Sequence, residues 1–223
     1  MLWVWVSGRR EADPSPSRTR LASIHMASLV HLVRHGEVDN PGEIVYADLP
    51  GFRLSDRGRS QASRTARHLG SQPVVAVWSS PLERALQTAA IIASRFGLPV
   101  LVDDALTEWR LSHRWAGTRW DELDRRFPGE LDAYMHDPAD LSFSPESLIE
   151  LAGRVRGAVE TIASRHDAGD VVVVGHQDPI QAARLALTGR SLVGLQNDKP
   201  GHATVITLRP RDGWREIASF TPE

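Results

Sequence analysis

Short apolar runs recur along the chain, and between them apolar residues return at the three- to four-residue spacing of amphipathic helices. The runs are rich in leucine and β-branched residues, and they predict buried strands at Ser28 to Val33, Val74 to Trp78, Val100 to Val102, Val171 to Val174 and Thr204 to Leu208. Gly213 and Trp214 separate a last, hairpin-like pair of strands. Strands that alternate with helices predict an α/β protein, a three-layer αβα sandwich whose central sheet is mostly parallel.

Four of the intervening stretches carry an apolar stripe and recognisable helix ends, with hydroxyl or acidic caps, proline in the first turn or glycine after the last one. They predict helices from Ser55 or Asp56 to Leu69, from Ser80 to Phe96, from Ser144 to Ile162 and from Pro179 to Leu187. In the second of them Ser80 is the predicted cap and Pro81 takes the first helical position. This register places Arg84 in the first turn, beside the free backbone amides.

Chemically versatile residues follow four of the predicted strands. Arg34 and His35 follow the first, Arg84 follows the second, Glu108 the third and His176 the fourth. In a parallel sheet, ligands bind beyond the carboxyl ends of the strands, where helix N-termini also favour anions. We therefore expect His35, Arg84 and His176 to meet at one edge of the sheet in a phosphoryl-transfer site.

With these residues in view, the chain resembles the histidine phosphatase superfamily, in its phosphoglycerate mutase-like branch (branch 1), from about Leu29 to about Leu208. The motifs that carry the resemblance are Arg-His-Gly-Glu at 34–37, Ser-Ser-Pro-Leu-Glu-Arg-Ala at 79–85, and Gly-His at 175–176. The resemblance implies a phosphoglycerate mutase-like fold and a phosphatase that needs neither metal nor cofactor. It also implies site roles: His35 as the phosphorylated nucleophile, Arg34, Arg84 and His176 as phosphoryl ligands, and Glu108 as the proton donor.

These roles are chemically coherent. An imidazole is unprotonated near neutral pH, so His35 can attack phosphorus in line and become a phosphohistidine. Guanidinium forks match phosphate oxygens bidentately and stay charged, and we expect His176 to act as a further charged donor. Glu108 would protonate the leaving alcohol, and its surroundings should keep a protonated fraction at mildly acidic pH. Glu37, Asp103 and Asp104 are alternative carboxylates for this step.

The chain departs from the family pattern at several positions. Asn40 comes one position early for a phosphate-binding asparagine, and Gly175 stands where serine is frequent. The segment from Glu108 to His113 lacks the Glu-Arg-His-Tyr-Gly-like sequence typical of cofactor-dependent mutases. This difference favours hydrolysis over phosphoryl exchange. Mutase-like transfer stays open as an alternative, as does a non-catalytic module that binds a phosphorylated ligand.

The stretch from Trp109 to Pro145 is expected to cover the pocket and to decide what enters it. It contains three tryptophans and five arginines, namely Trp109, Trp115, Trp120, Arg110, Arg114, Arg119, Arg125 and Arg126. Together these could grip a small phosphorylated metabolite with a ring and extra charge. The alternative is that the tryptophans pack and the arginines form a solvated helix face. Among the remaining histidines, His113 and His202 are the two expected to approach the site.

Composition limits the remaining possibilities. The chain has 223 residues, a formal charge of -2 and no cysteine. We therefore expect no nucleic-acid partner, no disulfide and a cytoplasmic location, while the oligomeric state is undetermined. No apolar stretch is long enough to cross a membrane. The segment from Ser7 to Ser28, rich in serine, arginine and proline, predicts a disordered leader. On this basis residues 1–27 are predicted to be an extension and residues 28–223 the catalytic domain, with Met26 as the natural start, which the intact mass would test.

Overall fold

A six-stranded mixed sheet forms the centre of the computed structural model, which describes residues 26–223. Its strands are β1 (Leu29–Arg34), β2 (Val74–Ser79), β3 (Val100–Val102), β4 (Asp170–Gly175), β5 (Val205–Arg209) and β6 (Arg215–Phe220). The spatial order is β3-β2-β4-β1-β5-β6. The first four strands in this order pair in parallel, and β5 and β6 add an antiparallel edge. The predicted α/β class, the mostly parallel sheet and the final hairpin are confirmed.

Seven α-helices accompany the sheet in the described part of the chain. They are α1 (Asp56–Leu69), α2 (Glu83–Ser94), α3 (Leu111–Trp115), α4 (Leu123–Arg126), α5 (Glu130–His136), α6 (Leu148–Ser164) and α7 (Gln177–Leu187). Short 3-10 turns occur at Asp104–Leu106, Trp120–Glu122 and Leu192–Gln196. The helices α3, α4 and α5 interrupt the regular alternation, because they lie between β3 and α6 and cover one edge of the sheet.

The two faces of the sheet bury alternate side chains of the same strands. Val171 and Val173 of β4 belong to the core packed by α6 and α7, whereas Val172 and Val174 belong to the core packed by α1 and α2. Each such fully buried aliphatic side chain stabilises the fold by roughly 1.5–3 kcal/mol. The continuous valine run in β4 is therefore explained by burial on both faces, as a three-layer sandwich requires.

Helix starts differ from the predictions in three places, one of which is α7, where the helix begins at Gln177 and not at Pro179. Ser55 caps α1 as expected, its hydroxyl accepting from the Gly58 amide at 3.0 Å. The helix α2 begins at Glu83, later than predicted, and the Ser80 hydroxyl accepts from the Leu82 amide at 3.3 Å and lies 2.8 Å from a histidine of the site. The helix α6 begins at Leu148, and Ser147 caps it in a reciprocal capping box, so the predicted start at Ser144 is wrong.

The first described residues already pack against the core of the fold. Ala27 is fully buried, and its amide donates to the Ala163 carbonyl of α6 at 2.9 Å. Met26 packs against the same core. Both residues thus belong to the packed fold, although the predicted extension included them, and the rest of that extension lies outside the described residues. Among residues 26–223 no helix has the length and apolar character needed to cross a bilayer.

Candidate active site

The structure brings the five predicted site residues together at the carboxyl edge of the parallel strands. Parallel pairing of β1 with β4 aligns Arg34 with Gly175, and the His35 amide donates to the Gly175 carbonyl at 3.0 Å. The two strand-end histidines, His35 and His176, consequently face each other, with ring centroids 5.3 Å apart. Register between two strands therefore places residues that are far apart in sequence in one hollow.

The His35 ring is held in one orientation. Its Nδ1 donates to the Gly36 carbonyl at 2.8 Å, so that Nε2 carries the lone pair. The Arg84 Nε donates to this Nε2 at 3.3 Å. Burial and the charges of Arg84 and Arg34 hold the pKa of His35 well below its ordinary value. The ring is therefore neutral at physiological pH, the form that attacks phosphorus.

Gly36 is required by packing as well as by its place beside His35. A Cβ built on Gly36 would lie 2.5 Å from the carbonyl oxygen of Gly58, and one built on Gly58 would lie 2.0 Å from the carbonyl oxygen of Glu37. The loop after β1 thus lies directly on the first turn of α1 without room for side chains. The Gly36 amide donates to Thr88 Oγ1 of α2 at 3.1 Å, which fixes the loop from the other side.

The two guanidinium groups are anchored on one side and keep donors available on the other. Arg34 donates to the Pro200 carbonyl at 3.0 Å and contacts His202 Nε2 at 3.1 Å, while its buried Nε has no hydrogen-bond partner among the described residues. Arg84 donates to the Ala47 carbonyl at 2.8 Å, and its guanidinium lies 4.7 Å from the centre of the Tyr46 ring. Both remain cationic although burial lowers the pKa of each.

The second histidine of the site, His176, lies between Ser80 and Glu108. The His176 Nε2 lies 2.8 Å from the Ser80 hydroxyl, and its buried Nδ1 lies 3.8 Å from Glu108 Oε2. Burial, followed by the charge of Arg84, holds the pKa of His176 well below its ordinary value. Without a bound anion the neutral form of His176 is thus favoured, whereas a bound phosphate dianion would favour the protonated donor that the sequence predicts.

Glu108 is the predicted acid, and its environment matches that task. Burial raises its pKa to about 7, and the nearby Asp178 carboxylate adds to this effect. Three interactions oppose the increase: the charges of Arg84 and Arg34 and a hydrogen bond from the Trp109 amide. Glu108 is thus about half protonated at neutral pH. The sequence led us to expect a protonated fraction at mildly acidic pH.

The alternative carboxylates lie elsewhere. Glu37 accepts from the Ser55 hydroxyl at 2.8 Å and pairs with Arg57. Asp103 caps the short 3-10 turn that begins at Asp104. Neither aspartate nor Glu37 lines the cavity beside His35, whereas Glu108 does.

A cavity of about 250 Å³ opens beside His35. Residues of the stretch from Trp109 to Pro145, here called the lid, form part of its wall. Its aromatic lining residues are Tyr46, Trp109, Trp115, Trp120 and Tyr134. Trp109, Trp115 and Trp120 line the cavity, and Trp109 and Trp115 are also packed in the core, as the alternative predicts. The arginines follow the alternative as well. Among the described residues, Arg114 pairs with Glu130, Arg119 with Asp121, and Arg125 and Arg126 with Glu122, while Arg110 is exposed, and none of the five lines the cavity.

Three further predictions concern single residues. Asn40 exchanges hydrogen bonds with Ile44 inside its own loop and does not reach the cavity, consistent with its doubtful place in the motif. His202 lines the cavity, with a ring centroid 5.8 Å from that of His35. His113, in contrast, pairs with Asp48 outside it.

Sequence reasoning missed one polar cluster in the wall. Asp178 accepts from the Tyr134 hydroxyl at 2.9 Å and pairs with the Lys199 ammonium at 2.6 Å, and Lys199 also donates to that hydroxyl at 2.7 Å. Asp178 and Tyr134 line the cavity. The available signal was the place of Asp178 two residues after His176, at the start of a helix on the ligand-binding edge of the sheet.

No group of three or more His, Cys, Asp and Glu side chains within residues 26–223 is arranged to hold a metal ion. The carboxylates and histidines of the cavity are instead occupied by one another, by backbone groups and by the guanidiniums described above. Any binding of an anion by these side chains thus depends on Arg34, Arg84 and the imidazoles.

The fold and these motifs define a member of a known family. The family model described as histidine phosphatase superfamily (branch 1) matches residues 30–221, and the chain belongs to that superfamily. A metal-independent phosphoserine phosphatase of Arabidopsis thaliana is 31% identical over 199 residues, which cover 85% of this chain and 82% of the relative. Phosphoserine phosphatase 1 of Hydrogenobacter thermophilus is 34% identical over 163 residues, 72% of this chain and 76% of the relative.

A solved structure gives the same picture. The mycobacterial glucosyl-3-phosphoglycerate phosphatase in complex with VO3 superimposes with a TM-score of 0.75 at 28% identity, covering 86% of this chain and 98% of that one. The resemblance drawn from the motifs and the phosphoglycerate mutase-like fold are both confirmed. The chain is an enzyme, a phosphatase of the histidine phosphatase family.

Proposed function

We propose that the protein hydrolyses the phosphomonoester of a small metabolite through a phosphohistidine on Nε2 of His35, without a metal ion. The observation that carries the proposal is the state of that nitrogen. The imidazole ring is neutral, and its Nε2 lone pair lies at the cavity wall. The Nδ1 hydrogen bond to Gly36 fixes the ring, and the guanidinium of Arg84 contacts Nε2. A nucleophile in this form, next to fixed positive charge, suits attack on a dianionic phosphate.

In the first step the His35 Nε2 lone pair forms a bond to phosphorus and the ester P–O bond breaks. The leaving alkoxide takes the proton of Glu108, which becomes a carboxylate. Arg34 and Arg84 bind the phosphoryl oxygens as their charge spreads in the transition state. The His176 ring lies close enough to His35 to donate to the same oxygens.

In the second step water attacks the phosphohistidine. The Glu108 carboxylate takes a proton from the water, the N–P bond breaks, and inorganic phosphate and neutral His35 result. The same group thus serves first as acid and then as base, for which a pKa of about 7 is well suited. The single carboxyl therefore returns to its starting state at the end of each turnover.

The experiment is acid-free quenching of the enzyme after brief mixing with a ³²P-labelled phosphomonoester. We expect label on the protein that is stable to alkali and lost in acid, as a phosphoramidate is, and no label on His35→Ala. His113→Ala is the matched control, because this histidine lies outside the cavity. Label and turnover retained by His35→Ala would contradict the proposal.

The same assay separates the other functions considered from the sequence. A mutase, with a bisphosphate as primer, would transfer the label to a second hydroxyl of a substrate and would not release it as inorganic phosphate. Tight phosphate binding with no labelled protein and no product would identify a binding module. Under the proposal, release of inorganic phosphate accounts for every turnover.

A further inference from the structure

We propose that Asp178 restricts the enzyme to phosphomonoesters whose alcohol part is neutral or cationic, and that esters bearing a carboxylate or a second phosphate bind poorly. This inference rests on the proposed phosphatase function and names the substrate class of the same site. It disfavours carboxylate-bearing esters, a chemical class that includes phosphoserine and glucosyl-3-phosphoglycerate, as preferred substrates. The argument comes from the distribution of charge in the cavity wall.

The first step is the position of Asp178. It lies at the start of α7, two residues after His176, and lines the cavity together with Glu108. Since Glu108 must reach the ester oxygen, the alcohol part of a substrate extends from that point past Asp178. The effect of Asp178 on the pKa values of both Glu108 and Arg34 is consistent with this central position.

The second step is the pairing of Asp178 within the cavity wall. Its side chain accepts from the Tyr134 hydroxyl and pairs with Lys199, and the side chains of Asp178 and Lys199 are only 15% and 12% exposed. The counter-ion of this carboxylate is thus the Lys199 ammonium. Lys199, the single lysine of the chain, is not among the residues that line this cavity, so Asp178 presents its charge to the substrate while its counter-ion lies behind it.

The third step is the absence of a second cation for a distal anion. Among the lysines and arginines of the described residues, only Arg34 lines the cavity, and under the proposed function it binds the phosphoryl group. Burial and nearby guanidiniums keep His35 neutral and lower the pKa of His202 to about 4. Four of the lid arginines pair with carboxylates outside the cavity, and Arg110 is exposed. A distal carboxylate would therefore meet Asp178 and aromatic rings with no compensating charge.

The expected size of the effect follows from Coulomb's law. Like charges about 6 Å apart at an effective dielectric constant of about 20 weaken binding roughly 100-fold, and the counter-charge of a neighbouring lysine reduces this to about tenfold. A neutral hydroxyl at the same position would not be repelled, and it can donate a hydrogen bond to the carboxylate. An ammonium group would gain from it.

The test uses two esters of equal size as competitors of p-nitrophenyl phosphate hydrolysis. Glycerol 3-phosphate and 3-phosphoglycerate differ only in a hydroxymethyl group replaced by a carboxylate. For the wild-type enzyme we expect an inhibition constant about tenfold higher for 3-phosphoglycerate. In Asp178→Asn the ratio should fall to about one, and in Asp132→Asn, an exposed aspartate of α5 outside the cavity, it should keep the wild-type value.

The ratio is independent of the folded fraction, because both esters are measured on the same sample. Asp178→Ser removes the same charge in a second way if the asparagine variant is not recovered. Equal or tighter binding of 3-phosphoglycerate by the wild-type enzyme would overturn the inference, and so would an unchanged ratio in the variants. Failure to hydrolyse p-nitrophenyl phosphate at all would instead overturn the proposed function.

Discussion

Replacement of Glu108 by glutamine tests the chemical step most directly. The amide keeps the shape of the side chain but has no acidic proton for a leaving alkoxide. An ordinary glutamate with a pKa of 4.5 would be protonated in only about one molecule in 300 at pH 7, whereas a pKa of about 7 makes the fraction about one half. The buried site thus increases the population of the acid form roughly 150-fold.

The expected loss depends on the ester. An alkyl ester such as glycerol 3-phosphate releases a strongly basic alkoxide, so Glu108→Gln should lower its kcat/KM by about 10²- to 10⁴-fold. p-Nitrophenyl phosphate releases a stable anion that needs no proton, and its rate of phosphohistidine formation should change by less than about tenfold. The two esters therefore separate loss of the acid from loss of the fold.

The pH profile supplies the second readout. The acid form is needed, so wild-type kcat/KM for the alkyl ester should fall as pH rises through about 7 and reach about a tenth of its plateau at pH 8. This alkaline limb should be absent with p-nitrophenyl phosphate. Glu37→Gln is the control, because Glu37 is one of the alternative acids and does not line the cavity. Equal losses with both esters in Glu108→Gln, or loss of the alkaline limb in Glu37→Gln, would refute the reasoning.

Three further changes have defined outcomes. Arg84→Lys should lower kcat/KM about 10²- to 10³-fold with little change in melting temperature, since one ammonium cannot contact both the phosphate and the anchoring carbonyl; steady-state kinetics with thermal melts would check this. Gly36→Ala should lower the free energy of unfolding by about 1–3 kcal/mol or more, because its Cβ would lie 2.5 Å from a carbonyl oxygen. Gly153→Ala, which has open space in α6, should instead stabilise the protein by roughly 0.5–1 kcal/mol; denaturant titrations would measure both. Arg154→Met should cost about 3–5 kcal/mol by the same titration, because it leaves buried Glu146 unpaired; an effect under 1 kcal/mol would show that this pair does not support the loop of the acid.

The Arg154 pair also explains how Glu108 is positioned. Arg154 of α6 donates to the carbonyls of Ala105 and Thr107, and its partner Glu146 accepts from the Arg110 amide. The segment that carries Glu108 is thus held from both ends by one buried ion pair. The sequence offered no sign of this, since the apolar stripe of α6 predicted a structural helix without a link to the site.

The catalytic motifs were predictable because each is a local feature of a strand end. Arg34, His35 and His176 follow valine-rich runs directly, and parallel strands necessarily end at the same edge. The glycine-histidine and arginine-histidine pairs also match a family pattern over most of the chain. Local hydrophobic pattern and motif thus determined the fold class and the phosphate end of the site.

The other half of the site depends on contacts between segments remote in the chain. Asp178 meets Tyr134 across 44 positions and Lys199 across 21, because α5 and the loop after Leu192–Gln196 pack beside the first turn of α7. Neither spacing has a periodic signature. Whether an arginine of the lid reaches the cavity or a surface carboxylate is decided by the same packing.

The sequence by itself determined the sandwich, the strand-end residues and the family, since these follow from hydrophobic period, strand polarity and motif. Only the tertiary structure decided the charge states: burial and the charge of Arg84 lower the pKa of His176, whereas burial and the charge of Asp178 raise the pKa of Glu108. Only the tertiary structure, likewise, placed Asp178 in the wall of the cavity. The physical reason is that desolvation and Coulomb interactions depend on distances in space, which no local pattern of residues encodes.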